Sequence, residues 1–164
     1  MSKNQPIPFR FLCHPVHFLA LGLGSGMPRF MPGTWGTLAA AVIFVLAYVA
    51  FGPLDWPIYL GFCMFSALVG IYLCGKTADD LGVHDHSGIV WDEFVGFWLT
   101  MFLVPVTWYW LLIAFVLFRI FDILKPWPIG WADKKVQGGA GIMLDDLIAA
   151  LYAWVCVQLV ILFF

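Results

Sequence analysis

The sequence predicts an all-α integral membrane protein, a compact bundle of about five membrane helices in one domain spanning residues 1–164, with its active site at the cytoplasmic face. Three observations predict it. The composition is too apolar for a chain surrounded by water. Four long stretches carry no charged side chain. The few charges that remain gather at what reads as one side of the membrane.

The chain is 63% hydrophobic, 18% aromatic and only 11% charged, with a net charge of -2. A water-soluble domain is about half apolar and about a quarter charged. A small globule with so few polar residues cannot cover its surface. Disorder, nucleic-acid binding and an ordinary cytosolic enzyme are excluded on these grounds. Cys13, Cys63, Cys74 and Cys156 show no paired spacing, so neither a disulfide framework nor a zinc site is expected.

The elements follow in order. Residues 1–29 hold Lys3, Arg10 and Arg29 around a short, glycine-rich apolar piece without a signal-peptide core, and read as a retained cytoplasmic segment. Phe30 to Leu54, Trp56 to Gly75, Phe94 to Phe118 and Leu147 to Phe164 are free of Asp, Glu, Lys and Arg. Each approaches the roughly 20 residues a spanning helix needs. The first begins its apolar core near Thr37, after the turn signals Pro32-Gly33 and Gly36; the turn Gly52 to Pro57 separates it from the second.

The third run has two readings, because Pro105 stands in its middle. It is either one kinked span or a hairpin with arms Ile89–Val104 and Val106–Leu124. A kinked span splits the eight Lys and Arg between the two sides, whereas a hairpin puts all eight on one side. The tendency of cationic loops to stay in the cytoplasm favours the hairpin, with the N-terminus inside and the C-terminus outside. Its first arm would be about 24 Å long, short for a bilayer core of about 30 Å.

In that topology only Asp55 lies outside. Asp79, Asp80, Asp85, Asp92 and Glu93 fall in or beside the first inner loop, and Asp122, Asp133, Asp145 and Asp146 in or beside the second. Several sit at predicted helix ends: Asp92 and Glu93 begin the first arm, Asp122 ends the second, and Asp145 and Asp146 open the last helix. Such an acidic pair can cap a helix start or face solvent. Three helix ends presenting carboxylates to one face instead call for a cation, and oxygen-only ligands suit Mg²⁺ or Mn²⁺.

Arg119, Asp122 and Lys125 are spaced three apart and share a helix face. Snorkelling toward lipid headgroups explains the cations but not the Asp between them. Arg119 offers a fork for phosphate oxygens and Lys125 a point charge. Two glycine-rich stretches, Gly22 to Gly26 and Pro32 to Thr37, precede the first span; with Thr34 or Thr37 as its cap, free N–H groups there would attract an anion. His84-Asp85-His86 adds acid–base groups beside the carboxylates.

Three blocks then resemble the bacterial phosphatidylglycerophosphatase A family. They are Gly24-Ser25-Gly26 with Pro32-Gly33-Thr34-Trp35-Gly36-Thr37-Leu38; Val83 to Gly96, containing His84-Asp85-His86-Ser87-Gly88 and Trp91-Asp92-Glu93; and Phe118-Arg119-Ile120-Phe121-Asp122 through Lys125-Pro126-Trp127-Pro128 to Leu144-Asp145-Asp146. The likeness covers nearly the whole chain from about His17, with no departure at the acidic positions of those blocks. It implies a Mg²⁺-dependent phosphatase of the bacterial inner membrane that converts phosphatidylglycerophosphate to phosphatidylglycerol and inorganic phosphate.

The expected roles follow. Asp92, Glu93, Asp122, Asp145 and Asp146 hold Mg²⁺, with Mn²⁺ a substitute and Asp85 a weaker ligand. Gly33, Thr34, Arg119 and Lys125 steady phosphoryl oxygens. His84, His86, Asp85 or Asp92 serves as catalytic acid or base. A phospholipid-headgroup transferase and an ion or solute transporter are the rival readings. No internal repeat and no mid-membrane acid supports the transporter. Aromatics facing lipid and aromatics facing a second copy look alike, so a homo-oligomer is left open.

Overall fold

The computed structural model describes residues 6–163, apart from the side chains of residues 132–134. The sequence expectations for Lys3, Asp133, Lys134 and Phe164 therefore lie outside the described residues. The described chain is helical, with no strand. A single-turn helix at Phe9–Cys13 leads into α1 (Pro15–Ala20), followed by α2 (Pro32–Phe51), α3 (Trp56–Leu81), α4 (Trp91–Thr100), α5 (Trp108–Leu124), α6 (Ile129–Lys135) and α7 (Gly138–Phe163). Three of these, α2, α3 and α7, are long and apolar enough to cross a membrane. At about 1.5 Å per residue α5 reaches about 26 Å and α4 only about 15 Å.

α4 and α5 form the antiparallel hairpin, since the start of one meets the end of the other: Glu93 lies beside Arg119, and the Phe97 and Phe115 rings pack edge to face. The first arm is shorter than the expected Ile89–Val104. Thr100 turns its hydroxyl back to the Gly96 carbonyl, Leu103 takes a left-handed conformation, and Pro105 cannot donate to a continuing ladder.

Ending a helix inside the bundle exposes carbonyls that water cannot reach. Neighbouring side chains take them. The Tyr59 hydroxyl donates to the Trp98 carbonyl at 2.5 Å. The Trp154 indole N–H donates to the Phe102 carbonyl at 2.7 Å, and the Gln158 amide donates to the same carbonyl at 3.2 Å. Gln158, the sole polar residue after Asp146 apart from tyrosine and tryptophan, thus holds the turn of the hairpin.

α4 is the most enclosed helix, with every residue from Glu93 to Trp98 buried. It packs against α2, α3 and α7. α7 presents Ala149, Ala150 and Ala153, all fully buried, so neighbouring backbones come close. Small residues serve this purpose wherever helices must pack without water to drive them together.

Two local expectations are corrected. Neither Thr34 nor Thr37 caps α2: Met31 holds that position in a left-handed conformation, and the Thr37 hydroxyl bonds the Gly33 carbonyl within the helix. Asp145 and Asp146 do not open the last helix, which starts at Gly138, two turns earlier. A cap explanation for the pair is thereby removed, because caps act only on the first turn. The Gly22 to Gly26 stretch packs against the segment leading into α4, where a β-carbon on Gly22 would fall 2.6 Å from the Val90 side chain.

Candidate active site

One end of the bundle gathers the start of α2, the start of α4, the end of α5 and the third turn of α7. Asp92 and Glu93 lie in the first turn of α4. Asp122 lies in the last turn of α5, and Lys125 follows as its C-cap in a left-handed conformation. Asp145 and Asp146 project from α7, both buried. These groups surround a cavity of about 460 Å³, lined also by Gly33, Thr34, His84, Asp85 and Arg119. Of the residues proposed from sequence, His86 alone is outside the lining: it is buried behind the wall, its Nδ1 accepting the Gly88 N–H at 3.0 Å.

Arg119 links two helices. Its Nη1 lies 2.6 Å from Asp122 Oδ2 on its own helix and 3.4 Å from Glu93 Oε1 on α4. Lys125 pairs with Asp145 Oδ2 on α7. Glycines on α2 make the room. A β-carbon at Gly33 would overlap Glu93 Oε1, and one at Gly36 would fall 2.7 Å from Glu93 Oε2. Sequence reading assigned Gly33 to phosphate; its visible effect is to admit the Glu93–Arg119 pair.

The cavity wall carries six carboxylates, at Asp85, Asp92, Glu93, Asp122, Asp145 and Asp146, against Arg119 and Lys125. With all ionised, four negative charges stay uncompensated by those two cations. Asp92 Oδ1, Glu93 Oε2 and Asp146 Oδ2 are buried without a hydrogen-bond partner among the described residues. On the donor side, so are Thr34 Oγ1 and Arg119 Nε. Burying an ionised carboxylate uncompensated costs on the order of several kcal/mol. Stranded acceptors call for a cation and stranded donors for an anion, and here both line one cavity.

Hard oxygen donors of this kind match Mg²⁺ or Mn²⁺ in chemistry. In the arrangement seen, no three such side chains among the described residues converge tightly enough to hold an ion. Arg119 and Lys125 instead hold Glu93, Asp122 and Asp145. The donor set fits the metal in its chemistry, as hard oxygen ligands around one cavity.

Sequence reasoning missed the exposed apolar residues of the wall, Met31 and Ile123, which join the buried Ile89 and Ile142. As exposed apolar residues at helix ends they read as ordinary lipid contacts. It also missed Gly36, whose role depends on a partner 57 positions away in the chain.

Fold and site together define a helical membrane protein with a carboxylate-rich, cation-bearing cavity at one end of its bundle, a setting for phosphate-ester chemistry. The chain belongs to the phosphatidylglycerophosphatase A family, whose sequence model matches residues 18–161. It is 47% identical over 158 residues to a phosphatidylglycerophosphatase A of Haemophilus influenzae, covering 96% of this chain and 95% of that one. It is 48% identical over 139 residues to a phosphatidylglycerophosphatase A of Escherichia coli K12, covering 84% and 78%. A Bacteroides thetaiotaomicron protein, 38% identical over 144 residues (85% and 89%), bears the provisional name phosphatidylinositol-3-phosphatase. No solved structure matches the chain significantly.

Proposed function

We propose that this chain hydrolyses phosphatidylglycerophosphate to phosphatidylglycerol and inorganic phosphate at the cavity between α2, α4, α5 and α7. The observation that carries the reading is the presence of stranded acceptors and stranded donors around one cavity. Family membership supports it and names the substrate.

Asp92, Glu93, Asp122, Asp145 and Asp146 would hold Mg²⁺, or Mn²⁺ in its place. When bound, the ion supplies charge neutralisation on the phosphate and a more acidic water. The rest is done by the chain's own groups. Arg119 offers its fork, and Lys125 a point charge, to phosphoryl oxygens as negative charge shifts among them. The Thr34 hydroxyl and the backbone at Gly33 add donors from the α2 side. His84 or Asp85 takes the proton of the attacking water. The water oxygen bonds to phosphorus, the bond to the glycerol oxygen breaks, and the same group returns its proton to that oxygen, which leaves as the alcohol of the lipid product. His86 acts from behind the wall, through the loop that carries Asp85.

The sidedness follows from charge. Arg10, Arg29, Lys76, Arg119, Lys125 and Lys135 all belong to the end of the bundle that holds the cavity, so that end, with residues 6–29, faces the cytoplasm of a bacterial inner membrane. Phosphate release by the purified chain without an acceptor alcohol tests the reading. Release supports hydrolysis. Headgroup exchange that requires an added alcohol makes the chain a transferase instead, and ion flux in proteoliposomes without phosphate release makes it a transporter.

A further inference from the structure

The cavity has two unlike lips. One is the polar loop carrying His84, Asp85 and Ser87. The other is apolar: Met31, which precedes α2, and Ile123, in the last turn of α5, both line the cavity while remaining 47% and 61% exposed. Both residues line one cavity, and the start of α2 lies close to the end of α5, since a β-carbon at Gly33 would fall 3.0 Å from the Arg119 guanidinium nitrogens.

The end of α5 is two-faced. Ile120, Ile123 and Leu124 share one face and are all exposed. Arg119 and Asp122 face the cavity, each with its side chain only 13% exposed. Trp35 and Leu38 continue the apolar surface along α2. A cavity that received a water-borne anion would gain nothing from an apolar lip, since exposed apolar surface at a water-facing mouth is a cost. A cavity with Arg119 and Lys125 among the carboxylates of its wall, a polar lip on one side and an apolar lip on the other has the polarity of an amphiphile.

We propose that the apolar lip of Met31 and Ile123, between the start of α2 and the end of α5, is where the two acyl chains of a phosphate-monoester lipid lie while its headgroup reaches Arg119 and Lys125. The substrate then comes sideways from the inner leaflet and its chains never leave hydrocarbon. This rests on the phosphatase reading and deepens it by placing the diacylglycerol part. The phosphate of the headgroup suits the Arg119 and Lys125 side chains of the wall, and the chains suit the lip.

The test compares two substrates with one headgroup: dioleoyl phosphatidylglycerophosphate in vesicles, and its water-soluble dibutanoyl counterpart. Met31→Gln and Ile123→Gln are expected to raise KM for the vesicle substrate about tenfold relative to the soluble one, as withdrawal of an apolar contact implies. Val155→Gln and Leu159→Gln, at exposed positions on α7, are expected to leave the ratio between substrates at its unsubstituted value. An equal change on both substrates, or on neither, overturns the proposal. Release of phosphate from neither substrate by the unsubstituted chain overturns the phosphatase reading itself, and this proposal with it.

A second readout does not depend on turnover. A photoreactive benzoylphenylalanine at Ile123 is expected to capture dioleoyl phosphatidylglycerophosphate in preference to dioleoyl phosphatidylcholine, while the same probe at Leu159 captures both alike. Equal capture at the two positions overturns the proposal.

Discussion

Glu93 on α4 extends its carboxylate into the space that a β-carbon on Gly33 of α2 would occupy. The missing side chain lets Oε1 stand against the α2 backbone while it pairs with Arg119 at 3.4 Å. Glu93 is a flexible side chain at its far end, so Gly33→Ala should displace it rather than unfold the bundle. Thermal stability in detergent is expected to change little, whereas kcat for phosphate release falls about 10²-fold, the effect of an ångström-scale misplacement. Loss of folding together with activity would mean that α2 packing, not Glu93 position, sets this glycine.

Arg119→Lys tests the fork. Lys keeps the charge but cannot span Asp122 and Glu93 as a guanidinium does. Activity is expected to fall at least about tenfold even though charge is conserved. Arg119→Met leaves the buried Glu93 and the largely buried Asp122 without their cation and is expected to cost roughly 3–5 kcal/mol of stability. Wild-type kinetics in Arg119→Lys would reduce this residue to a point charge.

Trp154 and Gln158 hold the carbonyl that ends the α4–α5 hairpin. Gln158→Leu strands part of that acceptor and is expected to cost about 1–3 kcal/mol in unfolding. Paired with Trp154→Phe it should cost more than either change alone and lower kcat, because α4 carries Asp92 and Glu93. Additive stability loss with unchanged kcat would uncouple the hairpin turn from the site.

His17 joins α1 to the end of α3, its Nδ1 2.9 Å from the Thr77 hydroxyl and its Nε2 3.2 Å from Asp80. Burial pushes its pKa below the ordinary 6.5; the nearby His14 and Lys76 push the same way, and Asp80 opposes them. A histidine with a depressed folded pKa takes its proton more readily when undocked. Docking of α1 is therefore full above about pH 6.5 and weakens as pH falls through the depressed folded value. Hydrogen exchange across residues 14–24 should be slow at pH 7.5 and faster at pH 5.5. His17→Gln should flatten the difference. Identical exchange at both pH values in the native chain would contradict the assignment.

Much of the site is readable from spacing. Arg119, Asp122 and Lys125 lie three apart at the end of a charge-free run, and the structure puts them on the cavity wall. Asp92 and Glu93 follow a loop and open α4 as their position predicts. The start of α7 is not readable, because three glycines in Gly138-Gly139-Ala140-Gly141 suggest backbone left open for a ligand, whereas the structure makes them the first turn of the helix. The short α4 is hidden for the opposite reason: Met101 to Val104 is as apolar as a helix, and its termination depends on Tyr59, Trp154 and Gln158 from distant segments. The role of Gly33 is equally invisible, since a glycine after a proline signals a turn whether or not a carboxylate lies behind it.

The central claim is that the carboxylates of α4, α5 and α7 act together on a lipid phosphate. Steady-state phosphate release from phosphatidylglycerophosphate, with Mg²⁺ present, by Asp92→Asn, Asp122→Asn and Asp145→Asn tests it most directly. Each is expected to lose at least about 10²-fold in kcat while staying folded, since each removes a charge the reaction uses. Near-native turnover in all three would contradict the account.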